Sequence, residues 1–271
     1  MSKTKWYQKP IYPLIALVLA LLTGTPLLHQ VAASPDQATF YSTTADGRLI
    51  TEGGDYTAVH GASTAGSVYP NDIHITVGQQ TLPVVFWVSR GALFLDTSSL
   101  PDDATIISAV LSLYGSSDAS LVDFHITVVD GSVLHEPLAL TDYGTLGSQT
   151  MSGGAFDTAG FSTSSYNDIP LNETGMGWIS KTGISKFGLR SSREIAAIAP
   201  TTQEVVTIYP YERGPGYQPR LVVTYTTAPP PVGGEAYPVN KISALAPLIA
   251  VAVLVAGGLS WYAFRRRKAR S

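Results

Sequence analysis

Apolar and polar residues alternate with a period of two along most of the middle of this 271-residue chain, and this pattern leaves few folds open. In a β-strand, successive side chains point to opposite faces, so each alternating segment can bury one face. Turn-forming strings such as Asp46-Gly47 and Asp130-Gly131 separate the segments. The clearest segments are 73–77, 107–114, 122–128, 186–190 and 221–225. Many short strands separated by turns are typical of an all-β domain, and we expect a jelly-roll-like antiparallel β-sandwich.

Three regions depart from simple alternation. Residues 83–88 and 92–95 are apolar almost throughout, which indicates a central strand covered on both faces. Residues 142–177 are rich in Gly, Ser, Thr and Asn, and we expect long loops there with one or two short strands. Between the two ends of the chain, no window of 12 or more residues has a helical period.

The N-terminal segment has the pattern of a secretory signal. Lys3, Lys5 and Lys9 precede an uncharged apolar stretch, and the small residues Val31 and Ala33 follow it. This order predicts a signal peptide over 1–33. An uncleaved N-terminal anchor is the alternative, and both interpretations export the residues that follow.

A second uncharged segment, 242–264, lies near the C-terminus. As a helix it extends about 34 Å, enough to cross a hydrocarbon core of about 30 Å. Trp261 and Tyr262 fit an interfacial aromatic belt, and the basic tail 265–271 is expected to stay in the cytoplasm. A buried core helix is the alternative.

These segments set the expected organisation of the chain. An extracellular β-sandwich domain over 34–227 is followed by a Pro/Gly-rich stalk, 228–241, and by the membrane helix. We therefore expect a single-pass cell-membrane protein with its domain outside and its C-terminus in the cytoplasm.

Charge and cysteine content exclude several functions. Residues 34–240 contain eight basic and twenty acidic residues, a net charge of −12. Such a surface repels polyanions, so nucleic acid is not an expected partner. The chain has no cysteine, which excludes disulfides, thiolate catalysis and cysteine-ligated metals.

Three strings of the sequence resemble a known family. They are RGALFLDTSSLPDDATIISAVLSLY at 90–114, WISKTGISKFGLRSS at 178–192 and IYPYERGPGYQPRLVVTY at 208–225. Together they are similar to the signature of DNRLRE-type β-sandwich domains, which are related to a family of carbohydrate-binding modules. The resemblance covers roughly 39–227. It implies a jelly-roll-like sandwich on secreted or surface-anchored prokaryotic proteins, without catalysis and with sugar binding in some relatives.

One element of the first string has a direct physical explanation. Leu100-Pro101 is expected to end a strand, because proline cannot donate to a central ladder. Asp96 is expected to accept backbone N–H groups in the turn that follows its strand. Both are stabilising roles, so the string indicates a fold and does not identify a ligand.

Aromatic side chains are the main candidates for ligand binding. Sugars present C–H faces that stack on flat rings, and their hydroxyl groups need planar polar partners. The candidate residues are Trp178, Tyr166, Tyr209, Tyr211, Tyr217 and Arg213. We expect Tyr209 and Tyr211 to share a strand face. The alternative is that Trp178 and Tyr209 belong to the core.

The sequence contains no Gly-x-Ser-x-Gly and no His-Glu-x-x-His motif. No cofactor is expected. A structural calcium ion is compatible with loop carboxylates at Asp55, Asp157 and Asp168.

The resulting expectation is a non-catalytic, membrane-anchored cell-surface module that contacts glycan or surface-layer components. A structural or adhesive subunit of a surface assembly is one alternative. A carboxylate-dependent glycan-active enzyme is another, which requires two acids facing each other across a cleft.

Overall fold

A computed structural model of the protein describes residues 34–228 and 241–268. The chain divides into two compact units, Met1–Ala228 and Pro229–Ser271. The predicted signal peptide 1–33 lies outside the described residues, as does the predicted stalk 228–241 apart from its two end residues.

The described residues of the first unit, 34–228, form twelve β-strands and a few short helices. The strands are β1 (Asp36–Tyr41), β2 (Gly47–Gly53), β3 (Ser67–Pro70), β4 (Ile75–Leu82), β5 (Val85–Asp96), β6 (Thr105–Ser120), β7 (His125–Asp130), β8 (Gly154–Asp157), β9 (Tyr166–Pro170), β10 (Ile184–Ser191), β11 (Gln203–Ile208) and β12 (Arg220–Thr226). The helices are α1 (Tyr56–His60), α2 (Asp142–Ser148), α3 (Glu173–Met176) and α4 (Ser192–Ile195), with 3₁₀ turns at Thr158–Gly160 and Tyr211–Arg213.

All strand pairings among residues 34–228 are antiparallel, so the prediction of an antiparallel all-β unit is confirmed. The strand order is β1-β12-β6-β11-β4-β5-β10-β7-β8, with β2 paired to β3 and β5, and β9 paired to β6. The 16-residue β6 pairs with β12, β9 and β11, and the register shifts between Thr207 and Ile208 of β11.

The apolar phase of the alternation forms the larger of two hydrophobic cores. This core collects side chains from strands that lie far apart in the strand order, from Phe40 on β1 to Phe187 on β10. Leu111, Leu113 and Ile126 in it are fully buried. Each such side chain stabilises the fold by roughly 1.5–3 kcal/mol through removal of apolar surface from water.

A second core lies on the opposite face of β5. Leu93 and Leu95 point into the first core, whereas Ala92 and Phe94 point into the second. The prediction that 92–95 is covered on both faces is therefore confirmed. The apolar run 83–88 is not covered on both faces along its whole length. Residues 83 and 84 form the hairpin turn between β4 and β5, and Val84 is 80 % exposed.

The region 142–177 contains two short strands, as predicted, and in addition the two short helices α2 and α3. Helices of seven and four residues are too short to show a helical period in the sequence. The side chain of Asn172 caps α3 by accepting a hydrogen bond from the backbone N–H of Gly175 at 3.0 Å.

The predicted role of Asp96 is confirmed. The backbone N–H of Ser98 donates to Asp96 Oδ1 at 3.0 Å. Hydrogen bonds from the side chain and the backbone of Ser98 hold the pKa of Asp96 below its usual value. The carboxylate thus stabilises the turn after β5.

The second unit contains one long helix, α5 (Lys241–Lys268), which includes the predicted span 242–264. The guanidinium of Arg265 lies 4.6 Å from the ring centre of Trp261, one turn earlier. Among the residues that the structure describes, no helix reaches the combination of length and hydropathy that a membrane crossing needs. Membrane insertion of this segment stays a prediction.

Candidate functional site

Four tyrosines converge at one place on the first unit, and we call them the tyrosine cluster: Tyr114, Tyr166, Tyr209 and Tyr217. The ring centre of Tyr114 lies 4.9 Å from that of Tyr217 and 5.2 Å from that of Tyr166. The rings of Tyr209 and Tyr217 are 5.5 Å apart. These three pairs meet edge to face, an arrangement that aromatic rings favour.

Strand pairing brings the four rings together. Tyr114 on β6 is the cross-strand partner of Tyr166 on β9. Tyr209 directly follows β11, and its backbone N–H donates to the carbonyl of Tyr114 at 3.0 Å. Tyr217 enters from the loop before β12. In that loop Gly214 and Gly216 adopt φ values of 89° and 92°, which glycine tolerates better than other residues.

The tyrosine cluster is separate from both hydrophobic cores. Three of its rings are half-buried and Tyr217 is 37 % exposed. The hydroxyl of Tyr114 donates to the carbonyl of Ser164 at 2.6 Å, and that of Tyr166 donates to the carbonyl of Gln218 at 3.1 Å. Within the described residues, the hydroxyls of Tyr209 and Tyr217 make no hydrogen bond.

Two arginines stack on the cluster. The guanidinium of Arg213 lies 4.7 Å from the ring centre of Tyr209 and 5.4 Å from that of Tyr217. The guanidinium of Arg220 lies 4.0 Å from the ring centre of Tyr166. Stacking of this kind holds a guanidinium in place without using its N–H donors.

These two arginines differ from every other basic residue of 34–228. Of the eight basic residues there, six donate hydrogen bonds to protein oxygens. Arg213 and Arg220 are the other two, and neither guanidinium has an acceptor or an ion-pair partner in the described part of the chain. The tyrosine cluster therefore combines partly exposed aromatic surface with guanidinium donors that have no acceptor in the described residues, of which Arg220 Nε is buried.

Two carboxylates in this region have pKa values above their usual range. Burial raises the pKa of Glu212, and the nearby charge of Asp72 raises it further. Burial also raises the pKa of Asp46 well above its usual range, with a smaller contribution from the charge of Glu212. Asp46 Oδ1 accepts a hydrogen bond from the backbone N–H of Phe94 at 2.9 Å.

The structure brings together four of the six predicted ligand-binding residues: Tyr166, Tyr209, Tyr217 and Arg213. Tyr211 does not join them. Strand β11 ends at Ile208 and Tyr211 lies on the following 3₁₀ turn, so the expectation that it shares a strand face with Tyr209 was wrong. Trp178 packs against the larger core and over Gly153, where a side chain would collide with the indole. For Trp178 the alternative of core packing holds.

Three residues of the cluster region were not among the predicted ligand-binding residues: Tyr114, Arg220 and His74. The ring of His74 stacks on Tyr209 with 6.3 Å between centres. A usable signal existed for two of the residues. Tyr114 and Arg220 both occupy the polar phase of their strands, which places their side chains on the face opposite the apolar residues.

The three aspartates considered for calcium do not come together. Asp55 caps α1 by accepting from the backbone N–H of Thr57 at 2.9 Å, and Asp157 accepts from that of Ala159 at 3.0 Å. Asp168 lies on β9 opposite Ser112. Within the described residues, no group of three or more His, Asp or Glu side chains is arranged to hold a metal ion.

A second concentration of charge is buried, and we call it the arginine–glutamate cluster: Arg90, Arg190 and Glu194. Arg90 Nη2 and Arg190 Nη2 donate to Glu194 Oε1 at 2.6 and 2.7 Å, and Arg190 Nε donates to Oε2 at 2.7 Å. Burial alone would raise the pKa of Glu194, but the hydrogen bonds and charges of the two arginines outweigh it and lower the pKa.

The remaining donors of these arginines bind backbone carbonyls of helices α1 and α2 and of Gln149, which follows α2. Arg90 donates to the carbonyls of His60 and Tyr143. Arg190 donates to the carbonyls of Gly147 and Gln149. All three members of the arginine–glutamate cluster are at most 1 % exposed, so this cluster stabilises the fold and offers nothing to a ligand.

No model of a known protein family matches the chain, and no curated protein sequence matches it. The resemblance to DNRLRE-type domains therefore stays a prediction. Two residues of the resembling strings, Arg90 and Arg190, belong to the arginine–glutamate cluster, so that part of the resemblance concerns the fold.

Proposed function

We propose that the protein is a non-catalytic surface module that binds glycan at the tyrosine cluster. The observation that carries the proposal is the pair of arginines, Arg213 and Arg220, which stack on the cluster while their N–H donors have no acceptor in the described residues. All other basic residues of 34–228 have one. A ligand rich in hydroxyl groups supplies such acceptors.

The chemistry of the surface favours a sugar over an apolar ligand. Tyrosine rings give flat apolar contact for the C–H face of a sugar, and their hydroxyls remain able to form hydrogen bonds. Guanidinium groups add planar donors in a fixed arrangement.

For the fold, we infer a jelly-roll-like sandwich of the DNRLRE type. One core gathers side chains from strands at distant positions in the strand order, which favours a sheet that folds over on itself. The three resembling strings support the same inference.

For location, we infer a single-pass protein of the cell membrane with the β-domain outside. This rests on the predicted signal peptide 1–33, the uncharged segment 242–264 and the basic residues that follow it. Protease added to intact cells should remove the domain and leave the C-terminal fragment in the membrane. A domain that resists the protease on intact cells but not on lysed cells would contradict this location.

The binding proposal is tested on a glycan array with the full chain in detergent and two matched variants. Tyr217 and Tyr211 have nearly equal exposure, 37 % and 36 %, but only Tyr217 belongs to the tyrosine cluster. We expect Tyr217→Ala to weaken binding by at least about tenfold, the usual effect of losing an aromatic anchor, and Tyr211→Ala to leave it unchanged. Equal effects of the two variants argue against the site, and absence of any glycan signal argues against the function.

A structural role in a surface assembly is the second candidate. Strand β1 pairs with β12 alone among the described strands, and an edge strand of this kind can accept a strand from a neighbour. Analytical ultracentrifugation of the full chain tests it. A monomer at every concentration counts against assembly through copies of this chain.

A further inference from the structure

We propose that the ligand is a linear oligosaccharide that covers the tyrosine cluster and continues into a neighbouring polar groove. The groove is a cavity of about 220 Å³, and its lining residues are Arg48, His74, Thr76, Ser116, Ser117 and Thr207. This volume is several times the roughly 30 Å³ that one water molecule occupies in the liquid. The inference rests on the proposed function and adds the form of the ligand to it.

His74 connects the groove to the tyrosine cluster. Its ring stacks on Tyr209, with 6.3 Å between the ring centres and 29° between the planes. The same side chain lines the groove. Because one residue contacts both features, they form a continuous surface along which a chain can extend.

The floor of the groove is a row of hydroxyl groups, which we call the hydroxyl row: Thr76, Thr207 and Ser117. Thr207 on β11 is the direct partner of Thr76 on β4 and of Ser117 on β6. Direct cross-strand partners point to the same face, and the neighbours Val206 and Ile208 point into the core on the other face. Adjacent strands lie about 4.8 Å apart, so the row extends roughly 10 Å.

Most of these hydroxyls are free to bind a ligand. In the described part of the chain, the hydroxyls of Thr207, Ser116 and Ser117 have no hydrogen-bond partner. Thr76 Oγ1 accepts from Arg48 Nη1 at 2.6 Å, and Arg48 Nη2 is fixed by Asp72 Oδ2 at 2.9 Å. The groove thus presents several small groups that donate and accept, which is suited to the hydroxyls of a sugar.

This arrangement distinguishes a chain from a single sugar. A monosaccharide on the tyrosine cluster leaves the hydroxyl row unused. Each further unit that enters the groove adds hydrogen bonds, so affinity should rise with the number of units until the row is filled.

The experiment is a calorimetric titration of the full chain with oligosaccharide ladders of one to six units, built separately on glucose, mannose, galactose and glucuronic acid. In at least one ladder we expect three units to bind about tenfold more tightly than one unit, the effect of one or two added hydrogen bonds. Thr207→Val removes the central hydroxyl at nearly constant volume. It should abolish most of this gain and leave binding of one unit unchanged.

Thr224→Val on β12 is the matched control, and it should keep the full dependence on length. Binding that does not change with length, or a gain that survives both Thr207→Val and Ser117→Ala, overturns the inference while the proposed function stands. Binding of no ladder at any length overturns the proposed function together with the inference, and the two failures are thereby told apart.

Discussion

Two pairs of arginines in this domain have opposite surroundings. Arg90 and Arg190 are fully buried, and each of their side-chain nitrogens donates to Glu194 or to a backbone carbonyl. Arg213 and Arg220 lie against tyrosine rings without any acceptor in the described residues. The donors of the first pair are all used by the protein itself. Those of the second pair have no acceptor among the described residues, and the Nε of Arg220 is itself buried.

Because of this difference, we expect the buried pair of arginines to contribute to stability and the stacked pair to contribute to binding. A buried charge whose partners are complete cannot gain from a ligand, and removal of one partner is costly. A stacked guanidinium with free donors contributes little to folding but can be worth much to an incoming acceptor. Each region should therefore respond to substitution in only one of the two measurements, unfolding or binding.

The largest effect is expected for Glu194→Gln. Two buried guanidinium groups then lose their carboxylate, which costs about 3–5 kcal/mol in the free energy of unfolding. Urea denaturation of the full chain in detergent measures the loss. In the wild type, the lowered pKa of Glu194 means that this stabilisation is present above the ordinary glutamate pKa and is lost as the pH falls through the lower folded-state value. Glu194→Gln should lack that loss at acid pH.

Arg213→Lys tests whether the tyrosine cluster needs a guanidinium group or only a positive charge. Lysine keeps the positive charge but has neither the planar fork nor the same stacking on Tyr209 and Tyr217. We expect glycan affinity to fall by about 1.5–3 kcal/mol, the value of a hydrogen bond to a charged group, and the melting temperature to stay the same. Full affinity in the lysine variant would mean that charge alone is recognised.

Asp46→Asn provides a contrast between two buried carboxylates. Asp46 lacks the arginine partners of Glu194, and burial raises its pKa. Between the unfolded and the folded pKa the native state binds more protons, so stability falls as the pH rises through that window and stays lower above it. Asparagine cannot ionise, so it removes this loss of stability at higher pH. Its side-chain oxygen can still accept a hydrogen bond from the backbone N–H of Phe94.

We therefore expect Asp46→Asn to increase stability at pH 7 by on the order of 1 kcal/mol, the size of most single-residue effects. At a pH near 3 the two proteins should be equally stable. Urea denaturation at both pH values checks this, and a loss of stability at pH 7 would contradict the assigned burial cost.

The smallest effect is expected for Asp96→Ala. The carboxylate stabilises one turn by accepting from Ser98 N–H. Its loss should cost about 0.5–1 kcal/mol, the net value of a typical hydrogen bond, at neutral pH and without change in glycan binding. An effect as large as that of Glu194→Gln would show that the turn has a wider role.

The sequence predicts six of the strands, β4, β5, β6, β7, β10 and β12, because their signal is local, but it does not indicate β1, β2, β3 or β11. Alternation with a period of two is visible within five residues, and the buried residues of β6 and β7 follow it. Arg190 shows the limit of this signal. It occupies the polar phase of β10 and is nevertheless buried, because a second core and two loops cover that face. Alternation indicates which residues share a face, but it does not reveal whether a face is covered.

The candidate site is predictable only in part, for a related reason. Tyr209, Arg213 and Tyr217 are close in sequence and were identified together. Tyr114 reaches them through cross-strand register with Tyr166 and through the backbone contact of Tyr209, and these pairings are set by the whole sheet. The expectation that Tyr211 shares a strand face with Tyr209 was wrong because a 3₁₀ turn follows the end of β11.

Two variants, Arg213→Ala and Glu194→Gln, allow binding and stability to be tested together. For each of them the glycan affinity and the free energy of unfolding are measured. We predict that Arg213→Ala loses at least about tenfold in affinity with unchanged stability. Glu194→Gln should lose about 3–5 kcal/mol of stability, while the molecules that remain folded keep their affinity. Loss of stability without loss of affinity in Arg213→Ala would contradict the central claim that the tyrosine cluster and its arginines form the binding surface.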